Sequence, residues 1–418
     1  MTDPPPIWRR RPGADGLVPA TPVPAVDLGD NLWSSAGLSN SYLMRTDDGR
    51  IVVNCGMAFE AEVHRPAFDA VDDAPIHTVI LTQGHPDHFG GVNRFLDEGT
   101  QLVTHANFQQ FLTDFEKLTD YRTRNSAFAF NHVYDAIARY VETHGGRFPA
   151  QSSPTPTLQF EDRLELDIGG VHLELLATRG GETTDSLVIW IPETGTVLTG
   201  NMLGPLFGHV PNLVTIRGDR YRDALDYVAS IETVRALGAA RLVTGHFDPI
   251  EGSDVIDREL TRMRDAAQWV HDRVIDGMNA GVDVHTLMRE TVLPPELEVG
   301  QGYGKVAWNV RAIWETYAGW FHHQSTTELY GVPASEVAGD IVEAAGASAL
   351  VAAARARLAA GEPQAAIHLT DLVLSADPVC SEARAAALDA HHVLLEAADN
   401  FWERAWLRRQ IAKLGEPA

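Results

Sequence analysis

Residues 26–252 contain short segments of alternating or continuous apolar residues, separated by amphipathic stretches. Period-two alternation and β-branched apolar runs predict strands. The predicted strands cover residues 31–35, 39–45, 50–54, 76–81, 101–104, 157–160, 163–166, 171–177, 186–191, 195–199 and 241–244. Apolar residues at helical spacing predict helices at 59–71, 106–118 and 221–237. Strands followed by a helix, twice over, fit an α/β domain of two stacked sheets with helices outside.

The pattern becomes almost entirely helical after residue 252. Residues 255–280 show one long helical period, and shorter amphipathic helices follow the proline pair at 294–295. These shorter helices are predicted at 344–360, 364–375, 381–397 and 401–414. The sequence therefore predicts three parts, which are a proline-rich extended arm (1–25), an α/β domain (26–252) and an all-α domain (253–418).

Residues 119–154 interrupt the α/β pattern with a segment rich in aromatic side chains. Two interpretations of this segment stay open. It is either an insertion that covers the functional site or a helical excursion packed on the domain.

Composition narrows the classes of partner. The chain has 418 residues, and its 57 acidic and 33 basic residues give a formal net charge of −24. An acidic surface argues against nucleic acids and anionic membranes as partners, so we expect a small-molecule substrate. Two cysteines far apart in sequence indicate neither a disulfide framework nor a thiolate zinc site. The N-terminal residues do not resemble a secretory signal, and we expect a cytoplasmic protein.

Residues 82–91, with the sequence Thr-Gln-Gly-His-Pro-Asp-His-Phe-Gly-Gly, concentrate the candidate chemistry. They join the predicted strand 76–81 to a segment that resembles the start of a helix, and open sheets commonly place their sites at such strand ends. His85 and His88 offer neutral nitrogen donors and Asp87 offers an anionic oxygen. This donor set suits zinc, iron or manganese.

The arrangement of this loop resembles a known family. A strand, then His-x-His-x-Asp-His, then a helix is the signature of the metallo-β-lactamase fold, and Gln83 stands here in place of the first histidine. The resemblance implies a metallo-β-lactamase αββα sandwich, followed in this chain by an all-α domain. It also implies two further ligands. Glu182 lies where the general family has a histidine, and His246 ends the strand that carries the last metal histidine.

Glu182 narrows the resemblance to the alkylsulfatase branch, whose members act on linear alkyl sulfates. The stretches 301–314 and 317–321 are similar to the segment that leads into that family's dimerisation domain, and 376–378 with 383–384 follow the same pattern. This resemblance implies a homodimer formed through the helical domain.

Within that family two metal ions are bound by two sets of three ligands. By resemblance, one set is Gln83, His85 and Glu182. The other is Asp87, His88 and His246. The glutamate that bridges the two ions in the family is absent here, where Asn201 can offer an amide oxygen but cannot bridge two cations as an anion does. Because two close cations need anionic ligands between them, we expect the set with Asp87 to bind its metal more strongly, with one or two Zn²⁺ ions and Fe or Mn as alternatives.

The resemblance also suggests residues for the reaction. The family's candidate acid for the leaving group is a histidine where this chain has Trp308. Tyr303, Asn309 and Arg311 remain as candidate contacts to an anion or substrate, beside Asp87 and Glu182 at the metals. For Arg311 a salt bridge on the helix surface is an equal alternative.

Three functions stay open on the sequence. The first is a metallo-hydrolase in which metal-activated water attacks a small ester, a sulfate ester or similar. The second is a mononuclear non-haem iron enzyme with oxygen-dependent chemistry, since two histidines and one carboxylate are also that donor set. The third is a non-catalytic relative with a degraded site. The sequence does not distinguish a sulfate ester from another ester.

Overall fold

The computed structural model of the protein describes residues 5–416. The chain forms two compact units, Met1–Tyr317 and Ala318–Ala418. The sequence grouped residues 253–317 with the helical domain, whereas by contacts they belong to the first unit. The reason is packing, because the long helix that begins at Ser253 lies against the helix, strand and sheet edge that precede it.

The first sheet contains seven strands in chain order. Its strands are β1 (Val26–Asp27), β2 (Leu32–Ser35), β3 (Ser41–Thr46), β4 (Gly49–Val53), β5 (Ile76–Ile80), β6 (Gln101–His105) and β7 (Leu158–Phe160). Strands β1 to β4 pair antiparallel, and β4 to β7 pair parallel. The carboxyl ends of β4, β5 and β6 therefore lie along one edge of the sheet.

The second sheet contains six strands in the order β13-β12-β11-β10-β9-β8. Its strands are β8 (Arg163–Ile168), β9 (Val171–Ala177), β10 (Leu187–Ile191), β11 (Thr196–Gly200), β12 (Arg241–Thr244) and β13 (Ile250–Glu251). Only β11 and β12 pair parallel. Their carboxyl ends carry Asn201 and His246 in the turns that follow.

The two sheets face each other across one apolar core. Ile51 and Ile80 of the first sheet share this core with Leu175, Ile189 and Val243 of the second. Alternate residues of the first sheet point the other way, into a second core beneath helices. Both faces of the central strands are therefore buried, which explains their nearly continuous apolar sequences.

Nine helices accompany these sheets in the described part of the first unit. They are α1 (Ala61–Asp69), α2 (Pro86–Phe89), α3 (Phe108–Lys117), α4 (Thr119–Ser126), α5 (Asn131–Thr143), α6 (Ala224–Ala236), α7 (Ser253–Asn279), α8 (Val284–Glu290) and α9 (Val306–Ala318). The predicted sandwich with outer helices is confirmed by this arrangement. One local prediction differs, since a helix was predicted to start at Gly90. The structure has the single α-helical turn α2 before the Gly90-Gly91 pair and only a 3-10 turn, Val92–Arg94, after it. Pro86 favours the start of α2 because proline suits the first helical position.

The segment 119–154 contains two helices, α4 and α5. Helix α5 fits a helical excursion packed on the domain, and α4 fits an insertion near the candidate site. Val133 and Ala136 of α5 pack with Leu38 and Phe59 of the α/β domain, as a packed excursion would. Helix α4 instead contacts the loop after β11 through Arg122, which forms an ion pair with Asp219. That loop lies at the candidate site described below.

The N-terminal arm lies partly outside the described residues, since residues 1–4 are not among them. From residue 5 it runs without strands as far as β1, with short 3-10 turns at Ile7–Arg10 and Ala14–Gly16. It is fixed on the first unit by the Ile7 N–H, which donates to Glu259 Oε2 (3.3 Å), and by the Arg9–Glu298 ion pair.

The second unit is helical in its described part. After two 3-10 turns it contains α10 (Ala338–Ala345), α11 (Ala347–Ala359), α12 (Pro363–Ala376), α13 (Ser381–Ala397) and α14 (Phe401–Gly415). Small residues such as Ala354, Ala366 and Ala390 form its inner contacts, which lets neighbouring helices approach closely. Among residues 5–416, no single helix is long and apolar enough to cross a membrane. The bent pair Ala334–Ala345 with Ala347–Ala359 meets that test by length and composition only.

Candidate metal centre

The loop after β5 is held in place by Asn54 at the end of the neighbouring strand. Asn54 Oδ1 accepts from the Thr82 backbone N–H at 2.9 Å and lies 3.1 Å from Thr82 Oγ1. Asn54 has a left-handed φ of 58°, a conformation that asparagine tolerates better than most residues. The loop then enters α2, so that Asp87 and His88 follow Pro86 in one fixed turn.

Asp87, His88 and His246 come together from the two sheets. One ligand atom from each lies within 4.8 Å of the other two. Asp87 and His88 stand on α2 beyond β5, and His246 stands in the turn beyond β12. The two histidines are buried and Asp87 is partly exposed, so the cluster has one side open to solvent. The structure thus assembles three of the predicted ligands into one group.

The surroundings of His246 fit a metal ion. Both of its ring nitrogens are buried, and among the described residues neither makes a hydrogen bond of good geometry, although the Leu38 backbone lies close enough to act on the ring. A buried polar atom without a partner is costly, and coordination of a cation by one nitrogen would remove much of that cost. The backbone around this histidine is strained, since Phe247 has a φ of 62°. The fold therefore holds His246 in a position that its own protein contacts do not explain.

The charge states of the three groups also fit. Burial lowers the pKa of His88 to about 4, so its ring is neutral at neutral pH and retains a lone pair. Burial likewise lowers the pKa of His246. Burial alone would raise the pKa of Asp87, but the three nearby histidines, His88 first, outweigh it, and that pKa falls below its ordinary value. Two neutral imidazoles and one carboxylate result, a set that binds zinc or iron.

Ser39 is a neighbour of the metal group that the sequence did not single out. Its Oγ lies 3.1 Å from His88 Nε2 and 3.2 Å from Nδ1, and it donates to the Gly245 carbonyl at 3.3 Å. Ser39 therefore links the loop before β3 to the turn that carries His246. A lone serine in a loop has no sequence signal that would indicate this role.

Gln83, His85 and Glu182 form a second buried group next to the first. Gln83 Nε2 lies 2.8 Å from His85 Nδ1, and that nitrogen lies 3.6 Å from Glu182 Oε2. Asn201 joins the group because its Nδ2 donates to Glu182 Oε2 at 3.4 Å. A Cβ added at Gly245 would lie 2.3 Å from Asn201 Oδ1, so any larger residue there would push the amide out of its position.

Two arginines and an aspartate from the loop after β11 complete this second group. Arg217 Nη2 lies 3.1 Å from His85 Nε2, and Arg217 Nε donates to Asp219 Oδ2 at 2.9 Å. Arg222 Nη1 donates to Glu182 Oε1 at 3.3 Å. Burial would raise the pKa of Glu182, but Arg222 and then His85 outweigh it, so that pKa lies well below its ordinary range. Glu182 is therefore a carboxylate paired with arginine.

These three loop residues carry no motif that would predict them from the sequence. Arg217, Asp219 and Arg222 lie in the charged run Arg-Gly-Asp-Arg-Tyr-Arg at 217–222. Such a run indicates a solvated surface in most loops, yet here three of its side chains are at most a tenth exposed. The only sequence signal for these residues was the high density of charge just before α6. That signal did not indicate which side chains the charged groups would contact.

The three candidate substrate contacts occupy different environments. Tyr303 is buried, and Arg217, Glu182 and Asp87 are among the charged groups that act on its phenol. Asn309 points to backbone, since its Nδ2 donates to the Pro211 carbonyl (2.8 Å) and its Oδ1 accepts from the Leu213 N–H (3.3 Å).

Arg311 lies on the exposed side of α9, where its Nε donates to Glu315 Oε1 at 2.7 Å. This contact is the surface salt bridge that was the alternative for this residue. None of the contacts found for Arg311 among the described residues is with the metal group.

Comparison with known proteins agrees with this geometry. Residues 35–246 match the metallo-beta-lactamase superfamily, and this match covers half of the chain. The chain therefore belongs to the metallo-beta-lactamase superfamily, and the predicted αββα sandwich followed by an all-α region is confirmed. Residues 284–415 match the alkyl sulfatase dimerisation domain, which confirms the predicted alkylsulfatase-like branch.

Several characterised relatives share most of this chain. A linear primary-alkylsulfatase of Pseudomonas sp. (strain ATCC 19151) is 27% identical over 355 residues, which cover 80% of this chain and 66% of that protein. The alkyl/aryl-sulfatase BDS1 of Saccharomyces cerevisiae is 25% identical, with coverage of 90% and 62%. The chain thus spans slightly less than two thirds of the length of these relatives.

The fold also matches a solved structure. The stereoselective inverting sec-alkylsulfatase Pisa1 from Pseudomonas sp. superposes with a TM-score of 0.80 at 22% sequence identity. The match covers 94% of this chain and 66% of that protein. At this identity the likeness establishes the fold.

Proposed function

We propose that the protein is a metal-dependent hydrolase of sulfate esters, with its metal held by Asp87, His88 and His246. The observation that carries the proposal is His246, a buried imidazole whose two nitrogens make no hydrogen bond of good geometry among the described residues, beside a neutral histidine and a carboxylate. The similarity to alkylsulfatases over most of the chain supports the substrate class. A divalent zinc ion is our first choice, with iron and manganese as alternatives.

A cation in this site would supply Lewis acidity that activates water and polarises the ester. The protein contributes the remaining groups. Asp87 is partly exposed, which places the open side of the metal group toward solvent and substrate. Arg217 and Arg222 provide positive charge in the adjoining group, where they contact His85 and Glu182, and guanidinium groups match the oxygens of a sulfate.

Tyr303 is the candidate donor of a proton to the leaving alkoxide. Burial raises the pKa of its phenol well above the ordinary value, so the group stays protonated at neutral pH. Arg217 and Glu182 are among the charges that act on this phenol, which associates it with the second buried group. Trp308, which stands where the related family has its acid, has no titratable proton.

The test is release of inorganic sulfate from a linear primary alkyl sulfate by protein loaded with zinc, manganese or iron. Ion chromatography would measure sulfate directly. We expect turnover that is lost in His88→Ala and retained in His172→Ala, a control in which a partly exposed histidine of β9 is removed. A loaded protein that binds metal but cleaves carboxylic esters rather than sulfate esters would contradict the proposed substrate class.

A mononuclear non-haem iron enzyme is the second candidate function. It is favoured by one specific observation, since the described residues form one complete set of two histidines and one carboxylate, while arginine pairs with the other carboxylate. Oxygen consumption by the protein reconstituted with Fe²⁺ under anaerobic conditions, and then mixed with air, would test it. Absence of any bound metal after loading would instead favour a non-catalytic relative.

We also propose that the protein acts as a homodimer through the region that matches the alkyl sulfatase dimerisation domain. Size-exclusion chromatography with light scattering tests this directly. A mass of one chain at micromolar concentration would contradict it.

A further inference from the structure

The residues of the second buried group do not suit a second metal ion, although the resemblance implies one at this position. Gln83, His85 and Glu182 are at most 7% exposed, and they adjoin the Asp87 group. In composition they offer one amide, one imidazole and one carboxylate. The neighbouring Asn201 is also neutral, so no carboxylate joins the two groups.

The imidazole of His85 has no lone pair available for a second metal. A guanidinium only donates hydrogen bonds, so a neutral His85 accepts from Arg217 through Nε2 and carries its proton on Nδ1. The proton on Nδ1 faces the side-chain amide of Gln83. If that amide is turned so that its oxygen points toward Nδ1, Gln83 Oε1 accepts this proton and gains the hydrogen-bond partner that it otherwise lacks. A second cation that binds Nε2 would therefore have to displace Arg217.

The carboxylate of this group is paired as well. Glu182 Oε1 accepts from Arg222 and Oε2 accepts from Asn201. Arg217 is 9% exposed and is held by Asp219, whose other oxygen forms an ion pair with Arg122. The positive charge is thus fixed by a buried network and is not a mobile side chain that swings in from the surface. Like charges in a low-dielectric interior repel strongly, which disfavours a divalent ion beside this guanidinium.

We propose that the guanidinium of Arg217 takes the place of a second metal ion, so that the centre holds a single metal at Asp87, His88 and His246. The site then combines one exchangeable cation with one covalently fixed cation. This inference depends on the metal group and not on the substrate class. A failure to hydrolyse sulfate esters would leave it standing.

Metal stoichiometry tests the inference. The protein is saturated with Zn²⁺ and passed through a desalting column, and its zinc content is measured by inductively coupled plasma mass spectrometry. We expect one zinc per chain. In Arg217→Gln the fixed charge is gone while Asp219, His85 and Glu182 remain, and we expect a second, weaker zinc. Arg217→Lys, which keeps the charge, should stay at one.

Arg220→Gln is the matched control, because Arg220 lies in the same loop but pairs on the surface with Asp114. It should bind one zinc, as the unaltered chain does. Two zinc ions per chain in the unaltered protein would overturn the inference. So would a single zinc in Arg217→Gln, because Gln83 and Asn201 alone would then account for the missing site.

Electron paramagnetic resonance of the unaltered protein loaded with Mn²⁺ gives a test that needs no variant. An isolated ion gives a six-line spectrum without exchange coupling, which is the expected result. Spectra of a coupled manganese pair would overturn the proposal even if Arg217→Gln failed to fold.

Discussion

Arg122 on α4 forms a buried ion pair with Asp219, and the second carboxylate oxygen of Asp219 accepts from Arg217. Tyr121, the residue before Arg122, lies against Gly218, where an added Cβ would come within 2.6 Å of the tyrosine ring. One aspartate thus connects the inserted helix with the guanidinium that contacts His85. The position of the insertion and the electrostatics of the site depend on the same side chain.

Substitution Asp219→Asn should loosen both the insertion and the site. The change removes the anion from between Arg122 and Arg217 and leaves two buried guanidinium groups facing each other. Loss of one partner of a buried pair costs about 3 kcal/mol of unfolding free energy. We expect a lower urea midpoint and faster hydrogen exchange in α4 (Thr119–Ser126), measured by mass spectrometry.

Asp114→Asn is the control for that variant. Asp114 pairs with Arg220, and both side chains are well exposed, so the loss should stay within about 0.5 kcal/mol. Unchanged exchange in α4 of Asp219→Asn would mean that other contacts hold the insertion.

Removal of the metal should lower thermal stability in a way that depends on His246. A ligand that binds only the native state at 100 times its dissociation constant adds about 2.7 kcal/mol. We expect a chelator to reduce the Tm of the unaltered protein and zinc to restore it, as followed by scanning calorimetry. In His246→Ala, chelator and zinc should both have little effect. A shift of equal size in that variant would place the metal elsewhere.

Local patterns predicted the parts of the fold that depend on neighbours in sequence. Residues 171–177 alternate clearly, and the strand β9 has those bounds. Asp87 and His88 share one turn with Pro86, so their common position follows from the motif itself. The start of a helix predicted at residues 90–96 is only a 3-10 turn, Val92–Arg94, because the α-helical turn begins earlier, at Pro86.

Long-range contacts were beyond local patterns. His85 and Arg217 are separated by 132 positions, and nothing near either residue indicates the other. His246 was placed at the site by resemblance alone, since an isolated histidine after a strand is commonly a core residue. Three of the charged side chains at 217–222 are buried because α4 and the loop after β5 pack against them. The sequence of residues 217–222 contains no information about those two partners.

Asn309 provides a test between a structural and a substrate-binding role. In Asn309→Leu, the Pro211 carbonyl and the Leu213 N–H lose their partners, and unpaired buried groups cost about 1–3 kcal/mol each. We expect reduced unfolding free energy in urea. The substitution Asn125→Ala, at a partly exposed position of α4, should change stability by less than about 0.5 kcal/mol. A variant of unchanged stability but raised KM for an alkyl sulfate would support direct substrate contact instead.

His64 should make the protein less stable in mild acid. It is fully buried, its Nδ1 lies 2.7 Å from Ser35 Oγ, and burial lowers its pKa to about 4. Between pH 6.5 and that value the unfolded chain binds a proton that the folded chain does not, so stability falls as pH falls through this window. At pH 5.5 the loss from this group is about 1.4 kcal/mol relative to pH 7.5.

The variant His64→Leu isolates this effect, because the comparison removes one titrating group and keeps the rest. Burial raises the pKa of Glu60 to about 7 and that of Asp185 to about 6. Since their folded-state pKa values are raised, these carboxyl groups favour the folded state as pH falls, and they do so in both proteins. The unfolding free energy in urea, measured at pH 7.5 and 5.5 on metal-free protein, should therefore fall by about 1.4 kcal/mol more in the unaltered chain than in His64→Leu. Equal changes in the two proteins would mean that His64 accepts its proton without unfolding, and that the cavity around it admits water.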